Sequence, residues 1–340
     1  MEIRDIVRKL VSATDLAEEE AYITALEIMS GNLTNTQIGA LLVALAAKGE
    51  TVDEITGFAR AMRVKVTPFS CNINDLVDTC GTGGDHLNTF NISTVSAIVA
   101  AGAGCRVAKH GNRSVSSRCG SADVLTALGI NVEIPPECIN RCLDETGVGF
   151  LFAPAYHPAM RFAAAARREI GIRTIFNILG PLTNPAGANR QLLGVYDENL
   201  MLPLTRVLAK LGSKHCLVVH GEDGLDEITI TAKTNVCELR NGDITTYCMK
   251  PEDFGFQTST IQTITGGEPS YNAALFERVL KKERGPLRDI TLMNAGAAIY
   301  ISGRTNSISQ GIQLAAQSID SGRALNKLEM LRQITAQLIT

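Results

Sequence analysis

From about residue 69 onward the chain alternates short β-branched runs with alanine- and glycine-rich stretches of helical period, and no other feature narrows the fold so far. Residues 76–79, 106–109, 131–134, 149–152, 192–196, 216–220 and 227–231 read as strands. Most lie too far apart for hairpins, so they need crossover connections, and the expectation is a mainly parallel central sheet flanked by helices. A different texture appears at 236–248, where Asn241-Gly242-Asp243 sits between two strand-like runs as a hairpin turn. Residues 171–189, rich in Pro, Gly and Asn, read as a hinge or crossing segment.

The first 68 residues have another character. Asp15 with Glu18, Thr34 with Gln37 and Thr51 with Glu54 repeat the capping-box pattern, in which a short acceptor opens a helix and an acid or amide follows three places later. Gly31 and Gly49 close the intervening helices, Pro68 stops the last, and Ile38, Leu41, Leu42 and Leu45 recur at helical spacing. The fold class expected is therefore α/β, with a small all-α N-terminal domain over 1–68 and a larger α/β domain over 69–340. A chain of 340 residues exceeds what one core usually supports.

Composition serves mainly to exclude. A net charge of -3 and a pI near 6.0 speak against a dedicated nucleic-acid surface. Nine cysteines without a CxxC pair read as reduced thiols in the cytoplasm rather than a zinc site or disulfide framework. The N-terminus shows no signal-peptide pattern, and no apolar run reaches the ~20 residues of a membrane span.

Three polar clusters follow strand ends. The first, CGTGGDHLNTFNIST from Cys80 to Thr94, lets backbone N–H groups approach an anion at the mouth of the next helix, with Ser93 or Thr94 as that helix's N-cap. It fits neither common nucleotide-loop pattern, so a tight turn with a capped helix remains open. The second, KHGNRSVSSRCGSAD from Lys109 to Asp123, groups cations, serines, glycines, an amide and His110 after a second strand. Lysine suits phosphate as a compact charge, and two such clusters after neighbouring parallel strands fit one shared anion pocket. The third, HGEDGLDE from His220, ends in Asp226 and Glu227. Adjacent carboxylates repel and usually face either open water or a cation, and Mg²⁺ takes one or two of them with water and phosphate.

These motifs, together with HPAMR at 157–161, RREIGIRTIFNILGPLTNP at 167–185 and NAGAAIY at 294–300, resemble the anthranilate phosphoribosyltransferase family over nearly the whole chain. The resemblance implies transfer of phosphoribosyl from 5-phosphoribosyl 1-diphosphate to the amino nitrogen of anthranilate, releasing pyrophosphate, with two Mg²⁺ per site. It implies that helices near 155–185 join the first domain in space. Gly81, Gly84, Asp85, Thr89, Asn91, Ile92, Ser93 and Thr94 would line the diphosphate and ribose site. Lys109, Asn112, Arg113, Ser114, Val115, Ser116, Ser117 and Ser121 would hold phosphates. Gly81, His110, Asn112, Tyr156 and Arg167 would meet anthranilate, with Pro154 near its entry. Lys109 and His110 would be catalytic, His110 orienting the amine or taking its proton late, and Ser93, Asp226 and Glu227 would bind metal. A homodimer through the helical domain is implied, with no nucleic-acid or membrane partner. A pyrimidine nucleoside phosphorylase-like enzyme and a non-catalytic, nucleic-acid-binding relative of the same fold are the alternatives.

Overall fold

A computed structural model describes residues 2–69, 73, 75–114 and 117–338. Four helices come first: α1 (Ile3–Val11), α2 (Glu18–Met29), α3 (Asn35–Lys48) and α4 (Val52–Val64). Two of the three capping boxes form. Thr34 and Gln37 exchange bonds at the start of α3, with Thr34 N donating to Gln37 Oε1 at 2.9 Å, and Thr51 and Glu54 do the same for α4. Glu54 also accepts from Leu16 N at 3.0 Å and from Lys48 Nζ at 2.9 Å, so one buried carboxylate ties three helix ends together. Asp15 caps nothing; the N-cap of α2 is Ala17, two residues past it, with Ala17 N bonded to Glu20, and Asp15 pairs with Lys48 instead. Lys48 Nζ bonds both acids, Asp15 at 2.7 Å and Glu54 at 2.9 Å, so Asp15 is committed to it rather than to the helix end.

The remainder alternates as β1 (Val77–Gly81), α5 (Ile92–Gly102), β2 (Val107–Gly111), α6 (Ser121–Ala127), α7 (Pro136–Thr146), β3 (Val148–Phe152), α8 (Ala153–Tyr156), α9 (Arg161–Ile170), α10 (Phe176–Leu179) and β4 (Arg190–Gly194). Then come α11 (Met201–Lys210), β5 (His215–Gly221), β6 (Thr234–Arg240), β7 (Asp243–Met249), α12 (Pro269–Leu280), α13 (Pro286–Ile301), α14 (Ile308–Asp320) and α15 (Arg323–Ala336). The sheet order is β3-β2-β1-β4-β5-β6-β7, parallel from β3 to β5 and antiparallel thereafter. The hairpin turns at Asn241-Gly242, both with positive φ.

Residues of α9, α10 and α11 share one apolar core with α1–α4, and Phe58 meets Phe176 edge-on at 6.0 Å. The other core lies on the opposite side of the sheet, around α5 and α13. Because β1 pairs with β2 on one side and β4 on the other, the chain direction across the sheet reverses at β1, and a crevice opens beyond the carboxyl ends of those strands.

Two expected strands do not form. At 131–134 the alternating apolar residues Val132 and Ile134 are buried without a ladder, and Asn131 N bonds to Thr335 Oγ1 of α15. At 227–231 side chains take the backbone groups: Ile228 N and O bond to Asn294, and Thr229 N to Thr234 Oγ1. In both places the apolar residues are buried, but the backbone does not pair in the sheet.

Candidate active site

The crevice is a cleft of about 620 Å³ lined from the carboxyl ends of β1 and β2, the loops that follow them and the 226–227 turn, with Arg167 and residues 171–177 across it. Its floor rests on two glycines that lie opposite each other in register, Gly81 and Gly194. A Cβ on Gly194 would stand 1.5 Å from Asp226 O, and one on Gly81 2.3 Å from Asp226 Oδ2. Only bare backbone lets the 226–227 turn settle here. Once seated, Asp226 Oδ2 accepts from Gly83 N at 2.8 Å and Glu227 Oε1 from Ser93 N at 3.1 Å. The acidic turn thus clasps the glycine-rich loop after β1.

The loop itself relies on left-handed backbone at Gly83 (φ 67) and Gly84 (φ 83), and at the non-glycine His86 (φ 60) and Asn88 (φ 52). Helix α5 starts two to three residues earlier than expected, with Asn91 at its N-cap position and no side-chain cap bond. Ser93 and Thr94 therefore fall inside the first turn rather than at the cap. Asn91 is committed elsewhere, donating to Cys119 O at 3.1 Å and accepting from Asn272 at 2.9 Å.

From β2, Lys109 reaches under the floor, is only 3% exposed, and donates from Nζ to Thr79 O and, at 3.2 Å, to Ser93 Oγ. Among the described residues no carboxylate stands within ion-pair range of it, although its charge pulls against the rise of both Asp78 and Glu227. His110 is buried with its ring 5.0 Å from that of His157. Its Nδ1 lies 3.2 Å from Gly180 O and its Nε2 has no partner. A carbonyl can only accept, so Nδ1 carries the proton and Nε2 offers a lone pair. Burial, then His157, pushes His110 down to about 3, and burial pushes His157 down to about 4. Both rings are neutral at ordinary pH.

Beyond β2, Asp123 holds the serine-rich loop by accepting from Ser114 N and Gly120 N at 2.9 Å each. Arg113 pairs with Asp123 and Glu133. Across the cleft, Arg167 of α9 is half-buried over the Phe176 ring at 5.4 Å, its charge disfavoured by burial, with no acid in ion-pair range among the described residues. Burial first, then Asp85 and Glu227, raise the Asp226 carboxyl well above the usual range; burial raises Glu227 to about 7.

Gly81, Gly84, Asp85, Thr89, Asn91, Ser93, Lys109, His110, Asn112, Arg113, Ser114, Ser117, Ser121, Arg167, Asp226 and Glu227 thus face one cleft. Four expected residues do not. Ile92 and Thr94 flank Ser93 on the first turn of α5 and are buried away from the cleft wall. Tyr156 lies in the core, its ring edge-on to Phe69 at 6.0 Å and its carbonyl bonded by Thr67 N, and neither it nor Pro154 lines the cleft. Val115 and Ser116 lie outside the described residues. Sequence reasoning passed over Arg173, whose guanidinium stacks 3.7 Å over Tyr196 and bonds to Gly84 O. Its signal was a cation inside the glycine- and proline-rich crossing segment.

A family model described as glycosyl transferase family, a/b domain, matches residues 73–325, and its companion, the helical bundle domain, matches 4–65. Anthranilate phosphoribosyltransferase of Moorella thermoacetica is 54% identical over 325 residues, 96% of each chain. That of Thioalkalivibrio sulfidiphilus is 51% identical over 336 residues, 99% of each chain. The chain belongs to the anthranilate phosphoribosyltransferase family. Among solved members, the Thermus thermophilus enzyme superposes with a TM-score of 0.93 at 44% identity, covering 98% of this chain and 99% of that one. The Saccharomyces cerevisiae anthranilate phosphoribosyltransferase in complex with PRPP and Mg superposes with a TM-score of 0.90 at 28% identity, covering 99% and 98%. Fold and domain pairing in this family are thus those found here: a helical bundle beside a mostly parallel seven-stranded sheet.

Proposed function

We propose that this family member transfers the phosphoribosyl group of 5-phosphoribosyl 1-diphosphate (PRPP) to the amino nitrogen of anthranilate, giving N-(5-phosphoribosyl)anthranilate and pyrophosphate in tryptophan biosynthesis. The observation that carries the reading is the clasp of Asp226 and Glu227 on Gly83 N and Ser93 N, which joins the acidic turn to the glycine-rich loop and to Lys109 in one cleft.

Gly81, Gly84, Asp85, Thr89, Asn91 and Ser93 take the diphosphate and ribose, and Lys109 with Asn112, Arg113, Ser114, Ser117 and Ser121 takes phosphate charge. A strained loop rich in N–H groups suits an oxyanion, and serine and lysine add donors without bulk. Arg167 meets the anthranilate carboxylate, since it is a half-buried cation with no carboxylate in ion-pair range among the described residues. Gly81, Asn112 and His110 surround the ring's amine.

The donor set fits Mg²⁺. Asp226, Glu227 and the Ser93 hydroxyl are hard oxygen ligands, and the two carboxyls are pushed up by burial and by neighbouring acids, which a cation relieves. Among the described residues no group of three or more His, Cys, Asp or Glu forms a complete cage, so water and substrate oxygens supply the rest. When bound, magnesium, two ions in this proposal, supplies the positive charge that stabilises departing pyrophosphate.

In the reaction, the bond from the anomeric carbon to the pyrophosphate oxygen breaks as the amine nitrogen bonds to that carbon, and the nitrogen then passes one proton to water or to the departing pyrophosphate. Lys109 and the loop N–H groups hold the leaving group, and positioning contributes several kcal/mol. An aromatic amine has a free lone pair at neutral pH, so no strong base is required. His110 fits orientation of the amine better than proton capture: its Nε2 is an unpartnered acceptor on a ring that resists protonation.

The remaining parts of the reading are a cytoplasmic location and a homodimer through the helical domain. No described helix is long and apolar enough to cross a membrane, and the described cysteines are free. The dimer reading is supported by an apolar groove along α1 and α3, where Val11 is 74% exposed and Val43 40%. Loss of anthranilate fluorescence on mixing the protein with PRPP and Mg²⁺ tests the reaction. Dependence on all three components is expected; unchanged fluorescence at every metal concentration overturns it.

A further inference from the structure

Away from the cleft, a cavity of about 100 Å³ lies where α12 ends and α13 begins, lined by Thr263, Arg284, Gly285, Leu287 and Arg288 among others. Arg288 is 7% exposed; its Nη2 is held by Asp320 at 2.9 Å, while its Nη1 is sealed from water without a hydrogen-bond partner. A buried guanidinium nitrogen with no acceptor is costly, and native proteins seldom leave one so.

Arg284 is exposed on the cavity wall and has no carboxylate in ion-pair range among the described residues. One acid, Glu283, lines the cavity and is engaged by Arg278, also on its wall, at 2.8 Å, while Asp320 is engaged by Arg288. Asp289 is in the same helical turn but does not line the cavity. Helix α13 runs sixteen residues and opens on Gly285 without a side-chain cap. Its first backbone bond in this turn is Asp289 N to Gly285 O, so Leu287 N and Arg288 N precede the ladder at the positive end of the helix dipole.

We propose that this cavity is a second anion site, binding a small oxyanion of the phosphate or sulfate class through Arg284, Arg288 and the first turn of α13. Its position gives it a consequence. Thr263 forms one wall, and the residues just after it hold the glycine-rich loop: Ile264 O accepts from Phe90 N at 3.0 Å, Thr265 bridges Thr89, and Gly266 N donates to Asn88 O at 2.8 Å. An anion here shares a wall with the loop to which PRPP binding was assigned.

Crystals soaked in selenate test the site by anomalous scattering. The expected result is a selenium peak between Arg284 and Arg288 that is lost in Arg284→Ala, while any peak in the cleft persists. A filled cleft with no peak at α13, or a peak of equal height in Arg284→Ala, overturns the proposal. This arm does not depend on the reaction assigned above. In solution, sulfate competes in the cleft of both proteins alike, so the PRPP KM of the unsubstituted enzyme should carry an additional sulfate-dependent shift that Arg284→Ala lacks. Superimposable sulfate dependences would count against the site.

Discussion

The main chain of Asp226 lies against Gly194 so closely that a single methyl on that glycine would stand 1.5 Å from the Asp226 carbonyl oxygen. Gly194→Ala must therefore lift the acidic turn off the strand ends. Overpacking of this kind costs about 1–3 kcal/mol of stability, and roughly 1 Å of displacement in a reacting group can cost about a hundredfold in rate. Thermal unfolding and kcat/KM for PRPP read the two effects. A variant of normal activity would show that the turn does not have to sit where it does.

Asp226→Asn removes one ionisable carboxyl from a crowded group in which burial, Asp85 and Glu227 all oppose ionisation. The metal-free protein should gain thermal stability, while turnover falls by about 10²–10³, the scale of losing one preorganised electrostatic group. The stabilisation that Mg²⁺ and PRPP confer on the parent should shrink in the variant. Melting curves with and without both ligands decide it, and equal ligand-induced shifts would remove Asp226 from the binding set.

His110 and His157 titrate at about 3 and about 4 in the folded chain, against about 6.5 when unfolded. Between those limits the unfolded chain binds protons that the native one refuses, so the contribution is complete above pH 6.5 and is lost as pH falls towards about 4 for His157 and about 3 for His110. Urea midpoints measured from pH 7 to pH 4.5 should decline, and less steeply in His157→Gln.

For His110 itself, the pH profile of kcat should show no inflection near 6.5, and His110→Ala should lower kcat by about tenfold, the value of roughly one hydrogen bond to the amine. An inflection near 6.5 that disappears in the variant would restore the role of proton acceptor. Near-normal turnover with the same profile would remove His110 from the reaction altogether.

Arg167→Ala should raise the KM for anthranilate by about 10- to 100-fold, as a lost charge-assisted bond of roughly 1.5–3 kcal/mol requires, and leave the KM for PRPP nearly unchanged. Arg167→Lys should recover only part, because a point charge cannot reproduce a planar fork. Equal effects on both substrates would point instead to a collapse of α9.

Much of this was legible in the amino-acid order. Thr34 and Thr51 announce their helices because a capping box is settled by residues three apart, and strand ends followed by GTGGD or KHGNRS locate the cleft for the same local reason. What could not be read depends on distant partners. Asp15 looks like a cap until Lys48 is beside it, and 227–231 looks like a strand until Asn294 supplies its bonds. Tyr156 looks available until Phe69 and Thr67 enclose it, and Arg173 looks like one cation among several until it is found over Tyr196. Only the family motifs single out Arg167, since RRE reads equally well as a charged helix face.

The clasp also sets an order in time. Gly83 and Asp226 are 143 residues apart, and Ser93 and Glu227 are 134 apart. At a synthesis rate of ~5–20 residues per second, a ribosome takes about 7–29 s to bridge the longer interval. Throughout that time the glycine-rich loop is already outside the ribosome without the carboxylates that close over it, while the helical start of the chain can mature. A nascent chain that stops short of Leu225 therefore has a fold in progress and no means of gripping the clasp, and the catalytic cleft cannot close until about two-thirds of the 340 residues are made.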